Sequence, residues 1–234
     1  MKGGAGERYF DRAYLAHNPT WHAEDGPTKA GWIGKIMSRH ALRPQTIAEV
    51  GCGSGQILVE LQKGHPAARF TGFEISPEAY AICSRKRAPG LEFRLEDLQN
   101  AAAERFDLLL VIDVLEHVPD YLGFLTALRD RAEYKIFHIP LDLSAQALIR
   151  GTSYPVLRDR TGHLHYFFKY TALATLRDCG YEIIDWNYTR SSQELPGKRL
   201  RTRIANLPRK FMQWFSEDLS ARYLGGYSLL VLAR

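Results

Sequence analysis

The sequence predicts an α/β fold, an open and mostly parallel sheet of about seven strands with helices on both faces. Three observations carry this. The apolar run Thr46-Ile47-Ala48-Glu49-Val50 passes through Gly51-Cys52-Gly53-Ser54-Gly55 into Gln56-Ile57-Leu58-Val59-Glu60-Leu61, whose apolar positions fall at helical spacing; a strand therefore meets a helix across a glycine turn. Short β-branched runs and helix-period segments then alternate, as stacked βαβ units require. Finally, Phe106-Asp107-Leu108-Leu109-Leu110-Val111-Ile112 is almost continuously apolar, typical of a strand buried on both faces of a parallel sheet.

Taken in order, a helix over 29–43 precedes the first strand at 46–50. The second strand, 69–73, ends in Glu74, and Ser76-Pro77-Glu78 then supplies an N-cap, a proline at the first helical position and an acid in the first turn. The third strand, 91–95, runs into Glu96-Asp97-Leu98. The fourth, 106–112, ends in Asp113-Val114-Leu115-Glu116-His117-Val118-Pro119. A helix over 119–130 carries Tyr121, Leu122, Leu125 and Leu128, and a fifth strand at 134–139 stops at Pro140. After a long connection, a helix over 171–179 lies between the cap candidate Thr171 and Gly180. Strands at 181–186 and 227–233 complete the sheet.

The glycine turn carries the first chemical signal. Glycine reaches positive φ and lets a ligand approach the backbone, while the helix beyond offers unpaired N–H groups. The dinucleotide fingerprint G-x-G-x-x-G does not fit: the third glycine comes one residue early, and Glu49 stands where a pyrophosphate would meet its negative charge. A cationic ligand suits that acid better. The form E-x-G-x-G-x-G, with the motifs that follow it as far as Pro119, resembles the class I S-adenosylmethionine-dependent methyltransferases, in particular the type 11/23-like group. The resemblance implies a Rossmann-like sheet with an antiparallel last strand, S-adenosylmethionine as cofactor and S-adenosylhomocysteine as product. It further implies that Glu49, Gly51, Cys52, Gly53 and Gly55 form the cofactor turn, that Glu74 and Ile75 meet the ribose, that Asp97 and Leu98 meet the adenine, and that Asp113 and Val114 line the methionine end.

At 234 residues and 45% apolar composition the chain can bury one good core, so a single domain over 1–234 is expected. Its parts are an aromatic N-terminal lid and helix (1–45), the core (46–189), a basic insertion (190–226) and the last strand (227–234). The three cysteines have no zinc spacing, so reduced thiols in a cytoplasmic protein are expected, and no metal. No apolar run approaches the roughly 18 residues of a membrane span, and no leader pattern precedes a cleavage site.

Three segments are placed to cover the carboxyl edge of the sheet, where ligands of such folds bind. The N-terminal stretch supplies Tyr9, Tyr14 and Trp21 as candidate substrate contacts, with cover of the outer core as the alternative. The connection 141–169 contains Gly162-His163-Leu164-His165-Tyr166-Phe167-Phe168, which resembles the G-H-x-x-x-F segment before the penultimate helix of many such methyltransferases. His163 and His165 are its candidate general bases, with ordinary pKa values near about 6.5. Tyr166, and His117 after the fourth strand, are further candidate substrate contacts. The histidines could instead tie the loop to the sheet. A metal on His-x-His is not expected, because no acid or cysteine set stands beside it in sequence.

The third segment, the insertion, has seven basic residues against the single acid Glu194 between Arg190 and Lys210. Phe211, Met212, Trp214, Phe215 and Leu219 follow at largely helical spacing. A packed helix, a surface for membranes or lipid-linked substrates, and a phosphate-binding patch all fit.

The expected function is methyl transfer to an oxygen or nitrogen nucleophile of a small-molecule or lipid- or glycan-linked acceptor, by in-line displacement with a histidine base. The expected location is cytoplasmic, with peripheral membrane contact through 190–220 left open. RNA methylation and a catalytically silent cofactor-binding partner protein are the alternatives. No Asn-Pro-Pro-Tyr type tetrad follows the fourth strand, which weighs against exposed bases as acceptors. The sequence does not specify the oligomeric state.

Overall fold

A computed structural model describes residues 18–101, 104–196 and 200–234, in the last segment with side chains from Asn206 onward. The strands are β1 (Thr46–Val50), β2 (Arg69–Glu74), β3 (Leu91–Leu95), β4 (Phe106–Ile112), β5 (Ala132–Pro140), β6 (Ile183–Thr189) and β7 (Ser228–Ala233). They form one sheet in the order β3-β2-β1-β4-β5-β7-β6. β1 to β5 pair in parallel, and β7 runs antiparallel to both β5 and β6. This is the Rossmann-like sheet with a reversed last strand that the motifs imply.

Ten helices are described: α1 (Gly26–Arg39), α2 (Gln56–Gly64), α3 (Pro77–Cys83), α4 (Tyr121–Leu128), α5 (Ala145–Arg150), α6 (Ser153–Arg160), α7 (Lys169–Asp178), α8 (Ser191–Glu194), α9 (Leu200–Phe215) and α10 (Glu217–Leu224). Helix α1 begins earlier than its periodicity suggests, with Pro27 in its first turn, and stops at Arg39 because Ala41 takes a left-handed backbone at φ 53°. The Ser76 hydroxyl caps α3 by accepting from the Ala79 N–H at 3.4 Å, as its sequence specifies. The connection expected as a long loop instead folds its first half into α5 and α6. Ser144 starts α5 by accepting from the Ala147 N–H at 3.3 Å, and Gly151 ends it at φ 65°.

Apolar residues fill both faces of the sheet. Ile33, Ile36 and Met37 of α1 and Leu58 and Leu61 of α2 pack with Phe70 and Phe93 on one face. Phe124, Leu125 and Leu128 of α4 and Leu173 and Leu176 of α7 pack with Phe137 and Val231 on the other. At about 25 cal/mol per Å2 of apolar area, such burial is the main stabilising term. Tyr181, expected to open β6, is instead a core residue whose hydroxyl donates to the Leu125 carbonyl at 2.7 Å, so the strand starts two residues later. No helix among the described residues is long and apolar enough to cross a membrane.

Candidate functional site

The strand order turns back between β1 and β4, so the carboxyl ends of these neighbours open a crevice. A cavity of about 1020 Å3 occupies that edge. Its floor is the glycine turn. Gly51, Gly53 and Gly55 all have positive φ, and two of them illustrate opposite demands. A Cβ at Gly55 would come within 2.5 Å of Phe93, so that residue lets the turn pack on β3. A Cβ at Gly53 would meet nothing nearer than 3.9 Å, so its bareness leaves space for a ligand.

Around this turn the acids are buried, and each is held differently. Glu49 is 1% exposed, its Oε2 has no hydrogen-bond partner among the described residues, and burial pushes its carboxyl well above the usual carboxylate range despite the charge of Lys29. A positively charged ligand group would relieve it. Glu74 accepts from the Gly53 N–H at 2.8 Å through Oε2, and from Ile75 and Ser76 through Oε1 at 2.9 and 2.8 Å. Burial raises its pKa against those three donors. Asp97 accepts from the Gln99 N–H at 2.9 Å, which shapes the turn after β3.

Asp113 joins three elements. Its own backbone is left-handed, at φ 54°. Its Oδ1 lies 2.5 Å from His138 Nδ1 of β5, and its Oδ2 lies 2.7 Å from Lys29 Nζ of α1. His138 continues to the Thr189 hydroxyl at 2.8 Å and stacks on Trp32 at 5.4 Å. Burial works against the Asp113 charge, but His138 and Lys29 outweigh it and hold the carboxyl well below the usual range. Lys29 likewise stays charged, because Asp113 outweighs its burial.

The opposite wall of the cavity is built from the loops after β4 and β5. His163 Nδ1 lies 2.6 Å from Asp142 Oδ2, and both residues line the cavity. A carboxylate there accepts a hydrogen bond from Nδ1–H, which leaves Nε2 as the nitrogen with a free lone pair. His117 meets the His163 ring edge-on at 5.0 Å, and burial followed by the neighbouring His163 lowers its pKa to about 3. Glu116 is 1% exposed with neither oxygen hydrogen-bonded among the described residues, and burial, then Asp113, pushes its pKa well above the usual range. Donor atoms of Glu116, His117 and His163 approach within 4.8 Å of one another. The acid that sequence spacing did not show beside the histidines is thus Glu116.

Of the residues singled out from the sequence, Glu49, Gly51, Cys52, Gly53, Glu74, Ile75, Asp97, Asp113 and Val114 line the cavity, as do Trp21, His117 and His163. Gly55 and Leu98 do not. Leu98 is fully buried among core residues, and Gly55 supports the turn from behind. His165 is corrected as a base: its Nε2 donates to the Val118 carbonyl at 2.9 Å and its ring rests on Tyr121, off the cavity wall. Tyr166 is likewise not on the wall, because its hydroxyl donates to the loop carbonyls of His163 and Tyr154 at 3.2 and 3.3 Å. Tyr9 and Tyr14 lie outside the described residues. Lys29, His138 and Asp142 were not apparent from sequence, since no motif marks them and only the fold brings them to one edge.

Comparison with known proteins agrees with this geometry. The family model described as a methyltransferase domain matches residues 30–185. A ubiquinone biosynthesis O-methyltransferase from Xanthomonas campestris pv. campestris (strain B100) is 28% identical over 130 residues, covering 50% of this chain and 53% of that protein. A tRNA (guanine-N(7)-)-methyltransferase from Limosilactobacillus reuteri (strain DSM 20016) is 35% identical over 91 residues, covering 39% of this chain and 41% of that protein. The chain thus spans about half the length, or less, of these two relatives. Among solved structures, the N-methyltransferase NodS from Bradyrhizobium japonicum WM9, in complex with S-adenosyl-L-homocysteine, superposes with a TM-score of 0.61 at 16% identity, covering 96% of this chain and 98% of that one.

Proposed function

We propose that this chain, which belongs to the methyltransferase domain family and takes S-adenosylmethionine as its cofactor, methylates a hydroxyl oxygen of a small or lipid-linked acceptor. The observation that carries the reading is the Asp142–His163 pair on the cavity wall. The unpartnered Glu49 oxygen and the open approach at Gly53 fit a cofactor that is cationic and reaches the backbone closely. Glu49, Gly51, Gly53, Glu74, Asp97 and Val114 would hold it. When bound it supplies a methyl carbon activated by a sulfonium, whose sulfur leaves as a neutral thioether.

The chain's own part is alignment and proton removal. His163 takes the acceptor hydroxyl proton at Nε2, and Asp142 stabilises the imidazolium that results. Asp113 holds α1, through Lys29, against β4 and β5, which fixes the wall beside the reacting atoms. The Xanthomonas relative is an O-methyltransferase, which supports oxygen as the atom methylated. RNA methylation and a silent binding role leave unexplained a base held by a carboxylate inside the cavity.

A lipid-linked acceptor is supported by α9, which exposes Phe211, Trp214 and Phe215 (65, 83 and 69% exposed) from the same insertion that concentrates the basic residues. Such a face suits the surface of an anionic bilayer. Incubation with labelled S-adenosylmethionine and a panel of phenolic, alcoholic and amine acceptors, soluble and lipid-linked, tests the reading. Label transfer to hydroxyl acceptors is expected, and transfer confined to amines would overturn it.

A further inference from the structure

Helices α5 and α9 each carry two faces of different character. In α5, Gln146, Ala147 and Arg150 line the cavity. Leu148 and Ile149 lie on the opposite side of the same turns and are 62 and 86% exposed. In α9, Asn206 is buried and Arg209 lines the cavity, whereas Leu207, Phe211, Trp214 and Phe215, at i, i+4, i+7 and i+8, are all exposed. The two helices are neighbours in one wall. Gln146 Oε1 accepts from Arg209 at 3.3 Å, and α5 packs on α10, which packs on α9. Their outer faces therefore lie on one side of the molecule, and that side is apolar where a water-facing helix would be polar.

Positive charge is concentrated in the same segments. Of the 31 basic and 26 acidic residues of the chain, 144–160 and 198–224 hold ten and three, so the remainder is slightly acidic. A nucleic acid would answer the charge but would leave Leu148 and Ile149 in water. An anionic bilayer answers both, with headgroup phosphates for the basic residues and acyl chains for the apolar ones. We propose that α5 and α9 together form a docking face for an anionic lipid bilayer, with Leu148 and Ile149 entering the interface beside the rings of α9. The proposal rests on the lipid-linked reading of the acceptor and deepens it. The wall at α5 is one helix thick, so the cavity stands about 10 Å from the lipid that Ile149 meets. An acceptor held in the bilayer by its apolar part has only that distance to extend.

The three native cysteines are buried, so Ile149→Cys adds a single exposed thiol for an environment-sensitive fluorophore. The labelled full chain is mixed with vesicles of phosphatidylcholine alone, or of phosphatidylcholine with phosphatidylglycerol, and sedimented in parallel. Sedimentation and a blue shift of the fluorophore are expected with the anionic vesicles only. In the unlabelled chain, Leu148→Ser combined with Ile149→Ser is expected to weaken vesicle binding about tenfold, while affinity for S-adenosylhomocysteine changes less than twofold. Sedimentation without a blue shift, or binding indifferent to the two serines, would remove α5 from the face and overturn the proposal. Absence of sedimentation would overturn it too, as would a fluorophore response to mixed-sequence RNA in place of vesicles. Label transfer confined to water-soluble acceptors, by a chain that binds vesicles normally, would count against the lipid-linked reading, a failure distinct from loss of the docking face.

Discussion

Asp142 and His163 meet at 2.6 Å, Oδ2 to Nδ1, although they lie twenty-one positions apart on either side of α5 and α6. The pair sets a definite order of effects. Replacing His163→Gln is expected to lower kcat by about 10²- to 10⁴-fold, the usual worth of a general base. Asp142→Asn, which leaves the imidazole without its carboxylate partner, should lower it less. His165→Gln, whose ring is tied to the Val118 carbonyl, should leave kcat close to that of the parent. Steady-state kinetics with cofactor affinity measured in parallel checks this. Equal losses at His163 and His165 would remove the basis for the assignment.

Glu49 lies beneath the glycine turn with an unpaired oxygen. Glu49→Gln keeps the shape and removes the negative charge, so S-adenosylmethionine is expected to bind at least tenfold more weakly. Calorimetry is the measurement, with melting temperature as the control for folding. Unchanged affinity would mean that the carboxyl serves the fold alone.

The two glycines with opposite surroundings predict opposite phenotypes. Gly55→Ala puts a methyl 2.5 Å from Phe93 at φ 70°, and a cost of about 2 kcal/mol or more is expected in denaturant unfolding. Gly53→Ala meets only Trp21 among the described residues, at an ordinary contact distance of 3.9 Å, so at φ 52° the backbone cost of about 1–2 kcal/mol dominates. Its larger effect should be on cofactor affinity. A Gly53 variant that binds normally would show that the ligand does not approach that backbone.

His117 gives a pH signature. Its folded pKa of about 3 lies below the ordinary histidine value, so between about 6.5 and 3 the unfolded chain binds a proton that the folded chain does not. Its contribution to stability is complete above about 6.5 and declines as pH falls through that window, by up to about 1.4 kcal/mol per unit. His117→Asn should flatten the stability curve there. Melting curves from pH 4 to 8, repeated after EDTA, provide the check. The profile should be unchanged by the chelator, and a shift would show that Glu116, His117 and His163 hold a cation.

Helix α9 should bring the protein to anionic vesicles at low salt, and Trp214→Ala with Phe211→Ala should weaken that binding. Vesicle sedimentation at low and physiological salt measures it. No binding under either condition would leave the exposed rings to another role.

The cofactor half of the site was legible in the sequence because its signals are local. A strand, three glycines and acids at strand ends follow one another within each βαβ unit, and Glu49, Gly53, Glu74 and Asp97 fall where that order puts them. The acceptor half was legible only in part. His163 could be named from its loop, but nothing adjacent separates it from His165, and the choice is made by Asp142 and the Val118 carbonyl. Lys29 is one of two lysines on a predicted helix. Its meaning comes from Asp113, which stands at the carboxyl end of β4. The helices α5 and α6 escaped notice because they are short and neither has a buried residue to mark its inner face.

The position of β7 bears on how the molecule is assembled as it is made. β6 lies at the sheet edge with β7 as its neighbour, and β7 is also what joins it to β5. During synthesis β6 emerges first and must wait, while 190–226 is produced, for Ser228–Ala233 to slide between the two strands. The strands that carry Glu49, Glu74 and Asp113 already have their neighbours by then. The nascent chain can thus complete the glycine-turn half of the cavity early, whereas the wall that carries Arg209 and Gly225 takes shape only with the final insertion.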